Sequence, residues 1–176
     1  MKTNLKKYLI ICVLLPSYTV LAKVPGVIPV DNEFYSEECG SCHFAYQPGL
    51  MPARSWKKIM TTLDDHFGDN AELETEEQQI LMDYLIYNSA ESSIYRHSTN
   101  VDKSIAWNQI PLRIAEIPYI SFQHDDFMDD MIEHNPQIKS RSYCNDCHTK
   151  AKDGIYADGI DIIGYGKWDM HSCMKF

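Results

Sequence analysis

The sequence has no uninterrupted apolar run of the ~20 residues needed to span a bilayer. Its longest candidate, Leu9 to Leu15, is followed at once by Pro16, Ser17 and Thr19. Positive charge is also scarce: 16 Lys and Arg stand against 25 Asp and Glu, for a formal net charge of −9. A surface of that sign repels nucleic acid and anionic lipid and favours partners with a basic face. There is no clean internal repeat, and no attached output domain of the kind a sensor needs.

What the chain does have begins with Lys2, Lys6 and Lys7 ahead of the short apolar stretch, and Val20-Leu21-Ala22 after it. That is the pattern of a secretory signal peptide over residues 1–22, cleaved after Ala22, with export to the periplasm. The stretch is too short for the alternative, an uncleaved anchor. Cys12 is not placed as a lipoprotein cysteine would be, and leaves with the signal. Cleavage removes three lysines and no acid, leaving 13 basic residues against 25 acidic ones and a formal charge of −12. The mature chain is then long enough for one ordinary domain, or for two small ones that need a cofactor to hold together.

Six cysteines suggest a disulfide set until their spacing is read. Cys39-Gly40-Ser41-Cys42-His43 and Cys144-Asn145-Asp146-Cys147-His148 each place a histidine directly after a Cys-x-x-Cys pair. Two thiols at that spacing can form thioethers to the two vinyl groups of one haem, and the adjacent histidine then lies under the iron. Two local disulfides, or a Cys-x-x-Cys metal site, would not call for that histidine twice. The expected cofactors are therefore two covalently bound haem c groups, with His43 and His148 as proximal ligands. Cys173 is left single, a small hydrophobe or a free thiol.

Around these motifs the chain reads as mostly α, in two small haem-centred domains at residues 31–95 and 101–176. An amphipathic helix is expected from about Arg54 to Phe67, with Trp56, Ile59, Met60, Leu63 and Phe67 on one face and Gly68 as its C-terminal cap. Thr75-Glu76-Glu77-Gln78 reads as a capping box opening another helix. Residues 88–100 are polar and read as a linker, with His97 solvated. A second amphipathic helix, from about Ser121 to His134, would turn His124, Phe127, Met128, Met131 and Ile132 inward and its acidic residues outward. The chain after the second motif is Gly-rich and irregular.

Each iron needs a sixth ligand, and a histidine or methionine there closes it for electron transfer. For the first haem the candidate is His66, in line with Ile59 at the edge of the apolar face, where a helix-end histidine facing the dipole is the plainer reading. Met51 and Met60 are fallbacks. For the second haem, His124 sits where an imidazole would be costly without a partner, while His134 and His171 remain rivals.

Glu38-Cys39-Gly40-Ser41-Cys42-His43, the stretch AYQPGLMPARSW at 45–56, and His66-Phe67-Gly68-Asp69-Asn70-Ala71 resemble the dihaem cytochrome c family. PLRIAEIPYI followed by His124, then the second motif with Ala151 and Gly154 after it, is similar to the same family. The resemblance implies two haem-binding domains, the first like a class I cytochrome c. It further implies bis-histidine ligation with His66 and His124 as distal ligands, and low-potential one-electron transfer. The partners it implies are a small oxygen-binding c-type haem protein as acceptor and a membrane b-type cytochrome as donor. The rival function is a dihaem peroxidase-like oxidoreductase with one open iron, against which stand the short chain and the surplus of histidines.

Overall fold

A computed structural model of the chain describes residues 24–125, 127, 129–132, 134–138, 140–156 and 160–168. The expected signal peptide, Met128, His171 and Cys173 lie outside the described residues.

The protein is mostly helical, as expected. Helix α1 (Glu33–Gly40) starts at Asn32, whose side chain accepts from the Tyr35 N–H at 2.9 Å, and it delivers Cys39 to the first motif. Helix α2 (Ala53–Met60) buries Trp56, Ile59 and Met60 on one stripe. Its first N–H is capped from outside by the Glu91 carboxylate, 3.0 Å from the Ala53 nitrogen.

The helix expected to reach Phe67 ends at Met60. Thr61 and Thr62 turn their hydroxyls back onto the carbonyls of Lys57 and Lys58 at 2.9–3.0 Å, offering the backbone a competing arrangement that stops the helix. A 3₁₀ turn at Leu63–Asp65 follows, then a tight reversal in which His66 and Asp69 exchange backbone hydrogen bonds. Its two central residues, Phe67 (φ 60°) and Gly68 (φ 99°), are both left-handed. Gly68 thus serves a mirror-image turn and not a helix cap.

Helix α3 (Thr75–Tyr87) begins where expected, but without the capping box. Glu74 occupies the cap position, and the Gln78 side chain bonds the Met60 carbonyl, joining α3 to the end of α2. The stretch read as a linker is helical in its second half: α4 (Arg96–Ser104) buries His97, Ser98 and Val101. Its buried face is largely polar, so hydrophobic periodicity could not reveal it. The single helix expected over 121–134 is two pieces, α5 (Pro118–Gln123) and α6 (Asp129–Ile132), with His124 capping the first. Helix α7 (Cys144–Cys147) is the second motif itself. The irregular tail contains a small antiparallel pair, β1 (Ile160–Ile162) with β2 (Gly166–Trp168), in register Ile160 to Trp168.

Two apolar clusters organise the molecule. The larger joins α1, α2 and α3 around Trp56, Leu81 and Leu85, and takes in Val101 and Ile105 at the end of α4 and Ile117. The smaller packs Phe127, Met131, Ile132 and Ile138 against Ile160 and Ile162, with Cys147 beside it. Met51 and Met60 are buried in the larger cluster. The N-terminal lead-in is strapped across the fold: Gly26 N–H donates to the Gly154 carbonyl at 2.8 Å and the Gly26 carbonyl accepts from His97 N–H at 2.7 Å.

Candidate functional site

Four histidines meet in two pairs, one at each Cys-x-x-Cys-His motif. The rings of His43 and His66 stack with centroids 6.2 Å apart and planes 26° apart. Those of His124 and His148 are 6.0 Å apart with planes at 83°. Two metal–imidazole bonds of about 2 Å, with each ring centre roughly another 1 Å beyond its nitrogen, would put trans imidazole centroids about 6 Å apart. Both pairs have that spacing.

The ring nitrogens are oriented for the same purpose. His43 Nδ1 lies 2.8 Å from the Phe44 carbonyl, and His124 Nδ1 lies 2.7 Å from the Ile120 carbonyl. A carbonyl can only accept, so in each ring Nδ1 carries the hydrogen and Nε2 keeps its lone pair for a metal. His148 Nδ1 is sealed from solvent and makes no hydrogen bond of good geometry, although the Tyr156 backbone favours its charged form. Burial, with His124 nearby, pushes the His148 pKa down to about 4. Desolvation also lowers His66 and His124. At neutral pH these three rings are uncharged, the form that ligates.

The cysteines sit beside the pairs. Burial pushes the Cys39 thiol up to about 11, with Glu38 adding to it, and the Cys144 thiol up to about 12. Such thiols are poor thiolate nucleophiles, which argues against thiol redox chemistry. Beside the second motif an apolar cavity of about 1260 Å³, part of it open to solvent, is walled by Phe127, Ile132, Ile138, Ile160 and Ile162 and reached by both His124 and His148. Its apolar lining suits the face of a macrocycle. Among the described residues no three His, Cys, Asp or Glu gather as a bare-metal site. Two facing imidazoles with nothing in the equatorial plane call for a ligand that supplies that plane, as porphyrin does. The residues present fit haem at both sites.

Of the two rivals for the second haem, His134 is the one described. His134 is exposed and bonds Asp130 at 3.0 Å, away from His148. His97, expected to be solvated, is 8 % exposed: the fold turns its ring inward, where Nδ1 meets the Tyr119 hydroxyl at 2.8 Å. Sequence reasoning missed the aromatic frame of the site. Phe67 packs edge-on against His66 at 4.9 Å, with the Arg113 guanidinium 4.1 Å from its ring centroid. Tyr46 lies 5.1 Å from His43, and Tyr156 lies 5.2 Å from His148. All three aromatics lie within eight residues of the histidine they touch, and that proximity was the available signal.

A mostly α fold carrying two Cys-x-x-Cys-His segments, each facing a second imidazole, defines a c-type cytochrome with two haems. The family model for dihaem cytochrome c (DHC) matches residues 35–156. The diheme cytochrome c from Rhodobacter sphaeroides is 34 % identical with a TM-score of 0.65, covering 74 % of this chain and all of its own. The diheme cytochrome from Shewanella baltica OS155 is 33 % identical with a TM-score of 0.64, covering 83 % of this chain and all of its own. No curated protein sequence matches. The chain belongs to the dihaem cytochrome c family, with two haem c groups and a haem-based electron-transfer role. Among the described residues, no helix is long and apolar enough to cross a membrane.

Proposed function

We propose that the protein is a periplasmic one-electron relay with two low-potential, bis-histidine haems, and not an enzyme. Cys39 and Cys42, and Cys144 and Cys147, hold the haems as thioethers; His43 and His148 are proximal ligands, and His66 and His124 distal. The observation that carries this is the spacing of the two imidazole pairs, 6.2 and 6.0 Å between centroids, which suits one metal ion between each.

When bound, haem supplies an iron that gains and loses one electron. The chain's part is to hold and orient. The Phe44 and Ile120 carbonyls fix the tautomers of His43 and His124, and the apolar wall of the second cavity lines that site with side chains that offer water no hydrogen bond. With His43 and His66, and His124 and His148, holding the two haems, small ligands would find no open coordination site, which disfavours the peroxidase-like reading. Imidazole at both positions, without methionine, sets the potentials low.

The acidic surface suits a partner with a basic face. By family resemblance, that partner is a small c-type haem protein that accepts electrons or a membrane b-type cytochrome that supplies them. Export by residues 1–22 with cleavage after Ala22 completes the reading.

The test is the intact mass and spectrum of protein exported from cells that attach haem. A mass two haems above the 23–176 polypeptide, and a reduced spectrum indifferent to carbon monoxide, are expected. Carbon monoxide binding to either haem would return the enzyme reading.

A further inference from the structure

The two histidine pairs differ in ring orientation, and that orientation decides how imidazole π orbitals meet an iron d shell. The His43 and His66 planes are nearly parallel at 26°, while the His124 and His148 planes are nearly crossed at 83°. Low-spin ferric iron lacks one electron from the highest of its three π-symmetry d orbitals. Parallel imidazoles raise a single one of those orbitals together, so the missing electron is one that was costly to keep, and the oxidised ion is favoured. Crossed imidazoles raise two orbitals equally and that gain disappears. Orientation alone therefore makes the first site easier to oxidise and the second easier to reduce.

The surroundings act in the same direction. His66 stands among Asp64, Asp65 and Asp69, all exposed, and Asp69 acts on its ring more strongly than Arg113 opposes it. Negative charge favours the extra positive charge of ferric iron. The second cavity has the reverse character. Its Ile160 and Ile162 are 3 % and 1 % exposed, and Arg96 and Arg141 border it. A low-dielectric wall with neighbouring cations disfavours that charge. On this side too there are acids, Asp146, half-buried near Cys147, and Asp125, exposed beside His124, so the apolar wall is the main difference between the sites.

We propose that the His43–His66 pair holds the lower-potential iron and the His124–His148 pair the higher, so that an electron delivered at the first motif passes to the second. This rests on the bis-histidine reading above. In the transfer the first iron goes from ferrous to ferric and the second from ferric to ferrous; one electron moves, and no proton or covalent bond changes. A one-electron donor resupplies the first site, and a one-electron acceptor empties the second.

The experiment is a reductive titration of the oxidised holoprotein followed by low-temperature EPR. Two low-spin signals of equal weight are expected: a rhombic one with three resolved features from the parallel pair, and a strongly anisotropic one with a single low-field feature from the crossed pair. The anisotropic signal should vanish first. His66→Met should remove the rhombic signal and leave the other. Asp69→Asn, which leaves every ligand in place, should raise the potential of the later step alone. Two rhombic signals, loss of the rhombic signal first, or a shift of the earlier step in Asp69→Asn would each overturn the ordering. A high-spin signal, or a methionine–iron charge-transfer band, in the unmutated protein would remove the bis-histidine reading itself, and the ordering with it.

Discussion

Tyr143 donates its hydroxyl hydrogen to the Cys42 carbonyl at 2.6 Å, so the residue just before one haem motif grips the interior of the other. The contact is returned: Tyr46, three residues past His43, donates to the Ser142 carbonyl at 3.1 Å. The two attachment segments are thereby clasped at two points. Tyr46 also stacks near His43 while bordering the cavity of the second site, which puts one ring against both.

Removing both hydroxyls, in Tyr46→Phe/Tyr143→Phe, should leave both haems bound with unchanged axial ligation. Each lost bond is worth about 0.5–1.5 kcal/mol, so the unfolding free energy should fall by roughly 1–3 kcal/mol in total. Flash-induced electron transfer between the haems should slow as the segments loosen. Unchanged rates in the double variant would mean that the clasp does not set the inter-haem geometry.

His134→Gln and His124→Gln should behave as opposites. His134 is exposed and its pairing with Asp130 is a surface contact, so its loss should shift stability by no more than about 0.5 kcal/mol and leave the visible spectrum untouched. His124 faces His148, and its replacement should convert one haem to a form that binds carbon monoxide. A spectral change in the His134 variant would redirect the distal assignment.

Stability should fall on mild acidification, partly through His97. Desolvation, with Arg96 adding to it, holds its folded pKa below the ordinary value of about 6.5. The unfolded chain therefore takes up a proton first as pH drops. The stability this ring contributes is complete above about pH 6.5, is lost as pH falls below that, and stops falling once the folded ring itself protonates. Denaturation midpoints between about pH 7 and pH 5 should show a shallower slope in His97→Gln than in the parent protein.

Gly154→Ala should be destabilising by a few kcal/mol. The residue has φ 70°, and a Cβ there would sit 2.2 Å from the Val27 carbonyl oxygen, a backbone atom that cannot swing aside. The same loop accepts Gly26 N–H, so the lead-in strap should loosen with it. Protease sensitivity near residues 24–30 is the readout, and an unaltered cleavage pattern would show that the strap is not held there.

Chain made without haem attachment, as in the variant with Ser at positions 39, 42, 144 and 147, should show no cooperative thermal transition. The smaller cluster holds only six buried apolar residues among those described, too few to order its segment without a macrocycle to cover. A sharp calorimetric peak from that variant would contradict this.

Much of the site was legible before any coordinates, for a local reason. Thioether attachment needs two thiols and an imidazole within five consecutive residues, so both motifs are visible as strings. His66 could be nominated from its alignment with Ile59, although the helix that suggested it ends at Met60; a 3₁₀ turn and a tight reversal bring the ring to His43 instead. Helix α4 was illegible because it buries His97 and Ser98, and a polar buried face carries no hydrophobic period. Its cue was a tertiary partner, the Tyr119 hydroxyl, which lies 22 residues away.

Covalent chemistry with short reach, two haem attachments and their proximal histidines, is written in consecutive residues and could be read there. The pairing of those histidines with particular partners, the clasp between segments 101 residues apart, and above all the 26° and 83° ring angles depend on backbone paths that no short window encodes. A ring plane is set by which carbonyl its Nδ1 meets and by what packs against its face. The carbonyls are local, from Phe44 and Ile120, but the facing rings come from segments that meet only once the chain has folded.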